Sequence, residues 1–183
     1  MTVRTEAPEA RPRSDADRLA RAFAVLRIFF GLIFLLNGLA KLTGVHRVEI
    51  GPYVANLINR DDTRFILDVE TNRNAQHQLP LLGRIVNDVL LPNWSVVQWL
   101  VTFAELTIGT LLVLGLASRL AALLGLGQAL SLSYLYLANN RWMFEQPHEV
   151  VPLVLLAVVS SGRVWGLDGR LGWERARAHR WPF

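Results

Sequence analysis

Residues 96–116 read VVQWLVTFAELTIGTLLVLGL, an apolar run with one carboxylate, Glu105, near its middle. An α-helix rises about 1.5 Å per residue, so roughly 20 residues cross the hydrocarbon of a bilayer. The run is long enough to do so, and it places Glu105 near mid-membrane. A central ionisable group in that position costs from about 2.5 to more than 10 kcal/mol depending on the scale, so it requires a partner or a task. Arg27, inside the first apolar run, is the partner the sequence offers.

The same pattern recurs along the chain. Hydrophobic residues make up 52% of its 183 residues, yet 19% are charged, so the charges must be segregated. Four runs lack dense charge, at about 22–42, 96–116, 120–138 and 149–166, the last being the shortest. A water-soluble four-helix bundle would give each helix a polar face. Residues 111–130 hold only Ser118, Arg119 and Gln128 as polar side chains. The reading is an all-α integral membrane protein, a four-transmembrane-helix bundle with a short helical extracytoplasmic cap between helices 1 and 2.

Arginine placement sets the orientation. Arg4, Arg11, Arg13, Arg18 and Arg21 precede the first helix, Arg119 lies between the second and third, and Arg163, Arg170, Arg175, Arg177 and Arg180 follow the fourth. The positive-inside rule puts these regions, and both termini, in the cytoplasm of a cell whose inner (plasma) membrane holds the protein. Between helices 1 and 2, Arg47, Arg60, Arg64, Arg73 and Arg84 are balanced by Glu49, Asp61, Asp62, Asp68, Glu70 and Asp88, as suits an exported face. The pI near 10.3 therefore reports topology and contact with anionic lipid. It does not report nucleic-acid binding, because no basic stripe with interleaved aromatics occurs. The first helix has a long basic flank, the interruption at Arg27 and no small-residue cleavage site, so it reads as an anchor rather than a cleaved signal. The expected layout is a disordered cytoplasmic tail over 1–18, a membrane domain over 19–171 with its cap at 44–95, and a basic, aromatic tail over 172–183. Trp173 and Trp181 suit the headgroup layer.

Absent cysteines exclude disulfide exchange, persulfide transfer and iron–sulfur chemistry from this chain. A bis-histidine haem needs two intramembrane histidines, whereas His46, His77 and His179 fall in loops or tails and only His148 approaches a helix end. No metal, haem or cluster is expected. In the cap, Ile50, Val54, Leu57 and Ile58, and again Leu81, Leu82, Ile85, Val89 and Leu90, recur at helical spacing. Two short amphipathic helices are expected, the first opening at Gly51-Pro52 and the second closing at Pro92, with 70–78 as a loop between them.

The polar residues of the spans fall on defined faces. Steps of three and four join Arg27, Gly31, Phe34, Asn37, Gly38 and Lys41 on helix 1, and Gln98, Thr102, Glu105, Gly109 and Leu112 on helix 2. Faces that mix small and polar residues are those that meet in lipid. With antiparallel helices, Glu105 is expected at a depth between Arg27 and Asn37. Helix 3 adds Gln128, Ser131 and Tyr134, and helix 4 opens with His148 and Glu149, near Asn139, Asn140, Arg141 and the interface anchor Trp142. One reading is an internal Glu105–Arg27 ion pair that fixes helix register. Another is a site for the head of an amphipathic molecule such as a quinone. Glu105, Arg27 and Tyr134 would then do the chemistry, and Asn37, Lys41, Gln128, His148 and Glu149 would line the site. Ion or solute transport is a third.

These residues also carry a resemblance. RIFFGLIFLLNGLAKLTG at 27–44, AELTIGTLLVLGLASRLAALLG at 104–125 and GRVWGLDGRLG at 162–172, taken in that order, resemble the DoxX/DoxD family of small four-helix membrane proteins over residues 26–171. The resemblance implies a membrane-embedded bundle. Its DoxD branch is the membrane subunit of a thiosulfate:quinone oxidoreductase, and other members are linked to redox complexes handling sulfur compounds or oxidative stress. Lys41, Glu105, Arg119 and Asp168 match recurrent polar positions of the family. The function this implies is a quinone-linked subunit with redox or respiratory partners. A non-catalytic scaffold of a larger respiratory complex, or a small carrier, stands as the alternative, and self-association is left open. The 162–169 segment reads as a helix C-terminus with a glycine cap, where Asp168 pairs locally with Arg119 or Arg163.

Overall fold

The structure, a computed structural model, describes residues 15–73, 79–141 and 147–171. Trp142, residues 1–14 and the tail at 172–183 lie outside the described residues. Helix α1 runs Asp15–Thr43, so Asp15 to Arg18, expected within the N-terminal tail, are helical. Asp15 and Asp17 occupy its first turn, where unpaired backbone N–H groups favour negative charge.

The buried residues of α1 include Ala24, Arg27, Gly31, Gly38 and Lys41, one stripe at helical spacing. Helix α4 (Trp94–Leu114) turns Thr102, Glu105, Gly109 and Leu112 inward. These faces meet in antiparallel register: Gly31 opposes Val113, Gly109 opposes Leu35 and Gly38 opposes Leu106. A Cβ at Gly31 would stand 2.7 Å from the Val113 nitrogen, and one at Gly38 would stand 2.9 Å from the Leu106 nitrogen. Real side chains do not come that close, so the two backbones touch because these positions have none. Helix α5 (Ser118–Leu137) packs on α6 (Pro147–Val158). A core of Phe30, Ile108, Leu112, Ala121, Leu153 and Leu156 joins the two pairs.

Helices α1, α4 and α5 are long and apolar enough to cross a membrane. Their most apolar windows are only 22, 28 and 33% buried. The outward faces are therefore open and apolar, which in water would be a large exposed hydrophobic patch and in lipid is the ordinary condition. Helix α6 has 12 residues, about 18 Å of rise against roughly 30 Å of hydrocarbon. It ends at Val158 because the chain beyond is held by the α4–α5 turn: Gly162 N donates to Ser118 Oγ at 3.1 Å, and Asp168 N donates to Gly115 O at 2.9 Å.

Between α1 and α4 the chain departs from the pattern read in the sequence. Where a helix was expected from Gly51, β1 (Arg47–Ile50) and β2 (Tyr53–Asn56) pair antiparallel around Gly51-Pro52, with Gly51 at φ 60. The β-branched Val48, Ile50 and Val54 favour the extended chain, and a turn that needs positive φ breaks the helical spacing. The first helix of this segment is α2 (Arg60–Asp68), and its start is written in Asn59 and Asp62. Asn59 Oδ1 accepts the Asp62 N–H at 2.9 Å, and Asp62 Oδ2 accepts the Asn59 N–H at 3.2 Å, a capping box. A π-helical turn, Val69–Arg73, continues it, so residues 70–73 of the expected loop are helical. Helix α3 (Pro80–Arg84) runs into a second π-helical turn, Ile85–Leu90, and the chain turns at Pro92. Leu82 and Val86 bury against Leu135 and Ala138, fixing this segment to the C-terminal end of α5.

Candidate functional site

The α1–α4 register decides which cation Glu105 meets. Glu105 follows Ala104 and precedes Leu106, which faces Gly38, so its depth is that of the last turn of α1. Lys41 occupies that turn. Its Nζ stands 2.8 Å from Glu105 Oε2, with only 4 and 8% of the two side chains exposed, and it donates to Ile58 O at 3.0 Å. From α5, Gln128 Nε2 donates to Glu105 Oε1 at 2.7 Å. Three helices thus converge on one carboxylate, and the 57–59 connection is joined to it through Lys41. Asn37 does not reach it: its Oδ1 accepts the Ile58 N–H at 3.3 Å, which holds the same connection from the other side.

Arg27 lies elsewhere, which corrects the expected Glu105–Arg27 pair. Arg27 and Lys41, the buried basic residues of α1, are separated by fourteen positions, about 21 Å along the axis. Arg27 Nη1 donates to Leu112 O at 2.5 Å and Val113 O at 3.3 Å, and Nη2 donates to Val164 O at 3.4 Å and Trp165 O at 3.2 Å. The guanidinium closes the C-terminus of α4, where carbonyls lack helical partners and the dipole favours a cation. Asp168 performs the complementary task. Rather than pairing with Arg119 or Arg163, its carboxylate accepts the N–H groups of Ala117 at 2.8 Å and Ser118 at 3.2 Å, capping the start of α5. Arg119 donates Nε to Ala157 O at 3.2 Å, and Arg163 is exposed on the short 3₁₀ turn Ser161–Arg163. Between the two helices Gly115 has φ 64, and Arg27 occupies the space its side chain would need.

Among the described residues, Lys41 borders a cavity, whereas Arg27 is fully buried. A cavity of about 420 Å³ adjoins Lys41, Glu105 and Gln128, within the range of small-molecule pockets. Ser131 and Tyr134 of α5 add hydroxyls to its wall, and Ile66, Leu82 and Val86 roof it with apolar surface. His148 is exposed at the start of α6, and neither it nor Glu149 lines the cavity. Among the described residues no cluster of His, Asp and Glu could hold a metal ion.

Residues 22–135 match the DoxX family, a stretch that holds most of α1, all of α4, nearly all of α5, and Lys41, Glu105, Gln128, Ser131 and Tyr134 of the cavity. The chain belongs to the DoxX family. With three helices of spanning length, this DoxX protein is a membrane protein. No curated relative and no solved structure matches it.

Sequence reasoning placed Lys41 in the site without recognising it as the partner of Glu105. The signal was present, because Gly31, Gly38 and Gly109 fix the register once they are read as backbone contacts rather than as a generic small face. The contribution of Ile58 could not be read, since it acts through its carbonyl. The roof residues Ile66, Leu82 and Val86 carry no chemical mark that separates them from ordinary core.

Proposed function

We propose that this DoxX protein is the membrane subunit of a redox system and binds a quinone in the Glu105 cavity. The observation that carries the reading is a buried acid, amine and amide on the wall of an apolar cavity, inside a helix group that faces lipid. A quinone ring carries two carbonyl acceptors. Lys41, Gln128 and Tyr134 offer N–H and O–H donors to them, and Glu105 offers a site for the proton that accompanies each electron. The electrons come from a partner subunit, and two electrons and two protons convert the quinone to its quinol. The resemblance to the DoxD branch supports the same class. In this arrangement both termini face the cytoplasm of the plasma membrane, α6 with the chain after it forms the fourth crossing, and the 44–93 segment caps the outer end.

Extraction of the purified protein with organic solvent, followed by mass spectrometry, tests the reading. A bound quinone in stoichiometric amount is expected, and its absence from protein purified in mild detergent would remove the proposal.

A second reading, a scaffold in a larger respiratory assembly, is favoured by one observation. Lys41 and Gln128 already hold Glu105 from within the chain, and Ile58 in turn holds Lys41, as a register lock would require. It predicts co-purification with large partners and an empty cavity.

A further inference from the structure

The 47–56 hairpin has two unlike faces. Opposed residues of paired strands share a side, and sides alternate along each strand. The register pairs Ile50 with Tyr53 and Val48 with Ala55, which gathers four apolar side chains on one face. The other face carries Arg47, Glu49, Val54 and Asn56, and Arg47 Nε meets Glu49 Oε1 at 2.7 Å, so its charges cancel. On the apolar face Val48 and Ala55 are half-buried, whereas Ile50 and Tyr53, beside the Gly51-Pro52 turn, are 69 and 66% exposed. A lone two-stranded hairpin is marginal in water. This one needs a cover for its tip.

Two observations place it at the edge of the hydrocarbon. First, the hairpin does not stand on top of α1. Gly44, at φ 78, turns the chain off the helix, and the strand leaving β2 comes back against the helix side: Ile58 N donates to Asn37 Oδ1 at 3.3 Å, Ile58 O accepts from Lys41, and Asn59 Nδ2 donates to Gly44 O at 3.1 Å. Asn37 lies seven positions, about 10 Å of rise, before Gly44. The hairpin thus leaves α1 at the level of its last turn. Second, the next residue, Arg60, lays its guanidinium over the Trp99 ring, 4.5 Å from the centroid. The register that opposes Gly38 to Leu106 sets Trp99 level with Val45, just past the end of α1, and Trp99 stacks on the exposed Phe103 of α4. Tryptophan and arginine at that level mark the headgroup layer of a bilayer. Leu39, Leu42 and Val45 carry exposed apolar surface up to the same level.

We propose that the hairpin is a membrane-docking element. It lies in the lipid interface beside the end of α1, with Ile50 and Tyr53 in the acyl boundary and Arg47 and Glu49 toward water. Tyr53 suits that layer, its ring among acyl chains and its hydroxyl among headgroups. Because the polar face carries an internal ion pair and no net charge, apolar burial drives the docking, and anionic lipid is not required. Ile58, on the strand that docking steadies, lines the Glu105 cavity. Docking requires no ligand in that cavity.

The chain has no cysteine, so single nitroxide labels test the docking on the full chain in phosphatidylcholine nanodiscs. Ile50→Cys, Tyr53→Cys and Val54→Cys carry the label in turn, the last on the polar face. Power-saturation EPR compares collisions with oxygen, which concentrates in lipid, and with a nickel chelate, which stays in water. Oxygen is expected to dominate at 50 and 53 and the nickel chelate at 54, with the same ranking when phosphatidylglycerol is added. Dominance of the nickel chelate at all three would put the hairpin in water and overturn the proposal. Shielding of 50 and 53 from both reagents would overturn it in favour of a protein contact, with dipolar broadening marking that contact as a second copy. A ranking seen only with phosphatidylglycerol would overturn the apolar mechanism. Trypsin gives a readout that needs no label: cleavage after Arg47 in nanodiscs should be several-fold faster in the Ile50→Glu, Tyr53→Glu double variant than in the unaltered protein, and equal rates would count against docking.

Discussion

Arg27 and Lys41 are both buried cations on one face of one helix, yet their surroundings make them different instruments. Arg27 meets carbonyls: its planar fork reaches four of them at the α4 terminus and the 164–165 strand of chain. Lys41 meets one carboxylate and one carbonyl and sits beside open space. The contrast follows from chemistry. A guanidinium presents five donors in a fixed plane and suits a cluster of helix-end carbonyls, whereas an ammonium is a compact charge that suits a single anion. Buried charge alone therefore does not mark a functional site. What separates the two ends is whether the chain leaves room beside the charge for something else.

The largest effect is expected where there is no room. Arg27→Met should remove the guanidinium donors of the Leu112, Val113, Val164 and Trp165 carbonyls and loosen the 162–168 segment at the α4–α5 turn. A loss of about 3 kcal/mol or more follows from several unmade buried hydrogen bonds, enough to prevent recovery of folded protein. Yield of monodisperse protein in mild detergent checks this. Near-normal yield would mean that the two ends of α1 are not as different as their contacts imply.

At the other end, Lys41→Met strands Glu105, but the adjoining cavity can admit water and the acid can take up a proton. A cost of about 2 kcal/mol is expected, smaller than at Arg27. The double variant Lys41→Met with Glu105→Gln removes both charges and keeps the Gln128 contact. It should recover most of that loss, with a coupling of about 1–2 kcal/mol read from thermal midpoints of the four proteins. Additive losses would dissolve the pair as an energetic unit.

Asp168→Ala tests the cap that complements Arg27. Ala117 N–H and Ser118 N–H would lose their acceptor, and Ala117, held at φ 45, would lose the contact that fixes its left-handed backbone. A cost of about 1–2 kcal/mol is expected, in line with other helix N-caps. Asp168→Asn, which keeps an oxygen acceptor but not the charge, should cost less. Thermal unfolding in one detergent ranks the two.

The membrane character, the α1 and α4 stripes and the importance of Glu105 were legible because apolar length and helical spacing are properties of neighbouring residues. Which cation Glu105 meets was not, because a slide of one helix past the other changes partners without changing either stripe. Three glycines in backbone contact set that slide, and a sequence shows them only as small residues. The hairpin at 47–56 was misread for a related reason. Ile50, Val54, Leu57 and Ile58 match a helical period, but Gly51-Pro52 interrupts them with a turn that no short helix accommodates. Asp168 was read as a partner for a surface arginine because backbone N–H groups carry no letter.

The smallest effect belongs to the segment above the cavity. Asn72 and Asn87 exchange two amide hydrogen bonds, each 3.0 Å, which tie the helical turn after α2 to the one after α3. Asn72 also donates to Asp68 Oδ1 at 3.0 Å, and that bond, with Arg73 beside it, holds the Asp68 carboxyl below the ordinary carboxylate range. A depressed folded-state value means that the contribution is present above the ordinary range and is lost as pH falls through the lowered one. All three side chains are solvated, so Asn72→Ala should lower the thermal midpoint by about 1 °C near neutral pH. The part of that difference carried by the Asp68 contact should be lost in acid, once Asp68 is protonated, while the part carried by the Asn72–Asn87 pair should remain. Its influence on the site is the more telling measurement. Leu82 and Val86, which roof the cavity, are on the element that Asn87 anchors, so if the roof must open for a ligand, Asn72→Ala should speed ligand exchange while leaving equilibrium affinity nearly constant. Unchanged exchange rates would locate the entrance elsewhere.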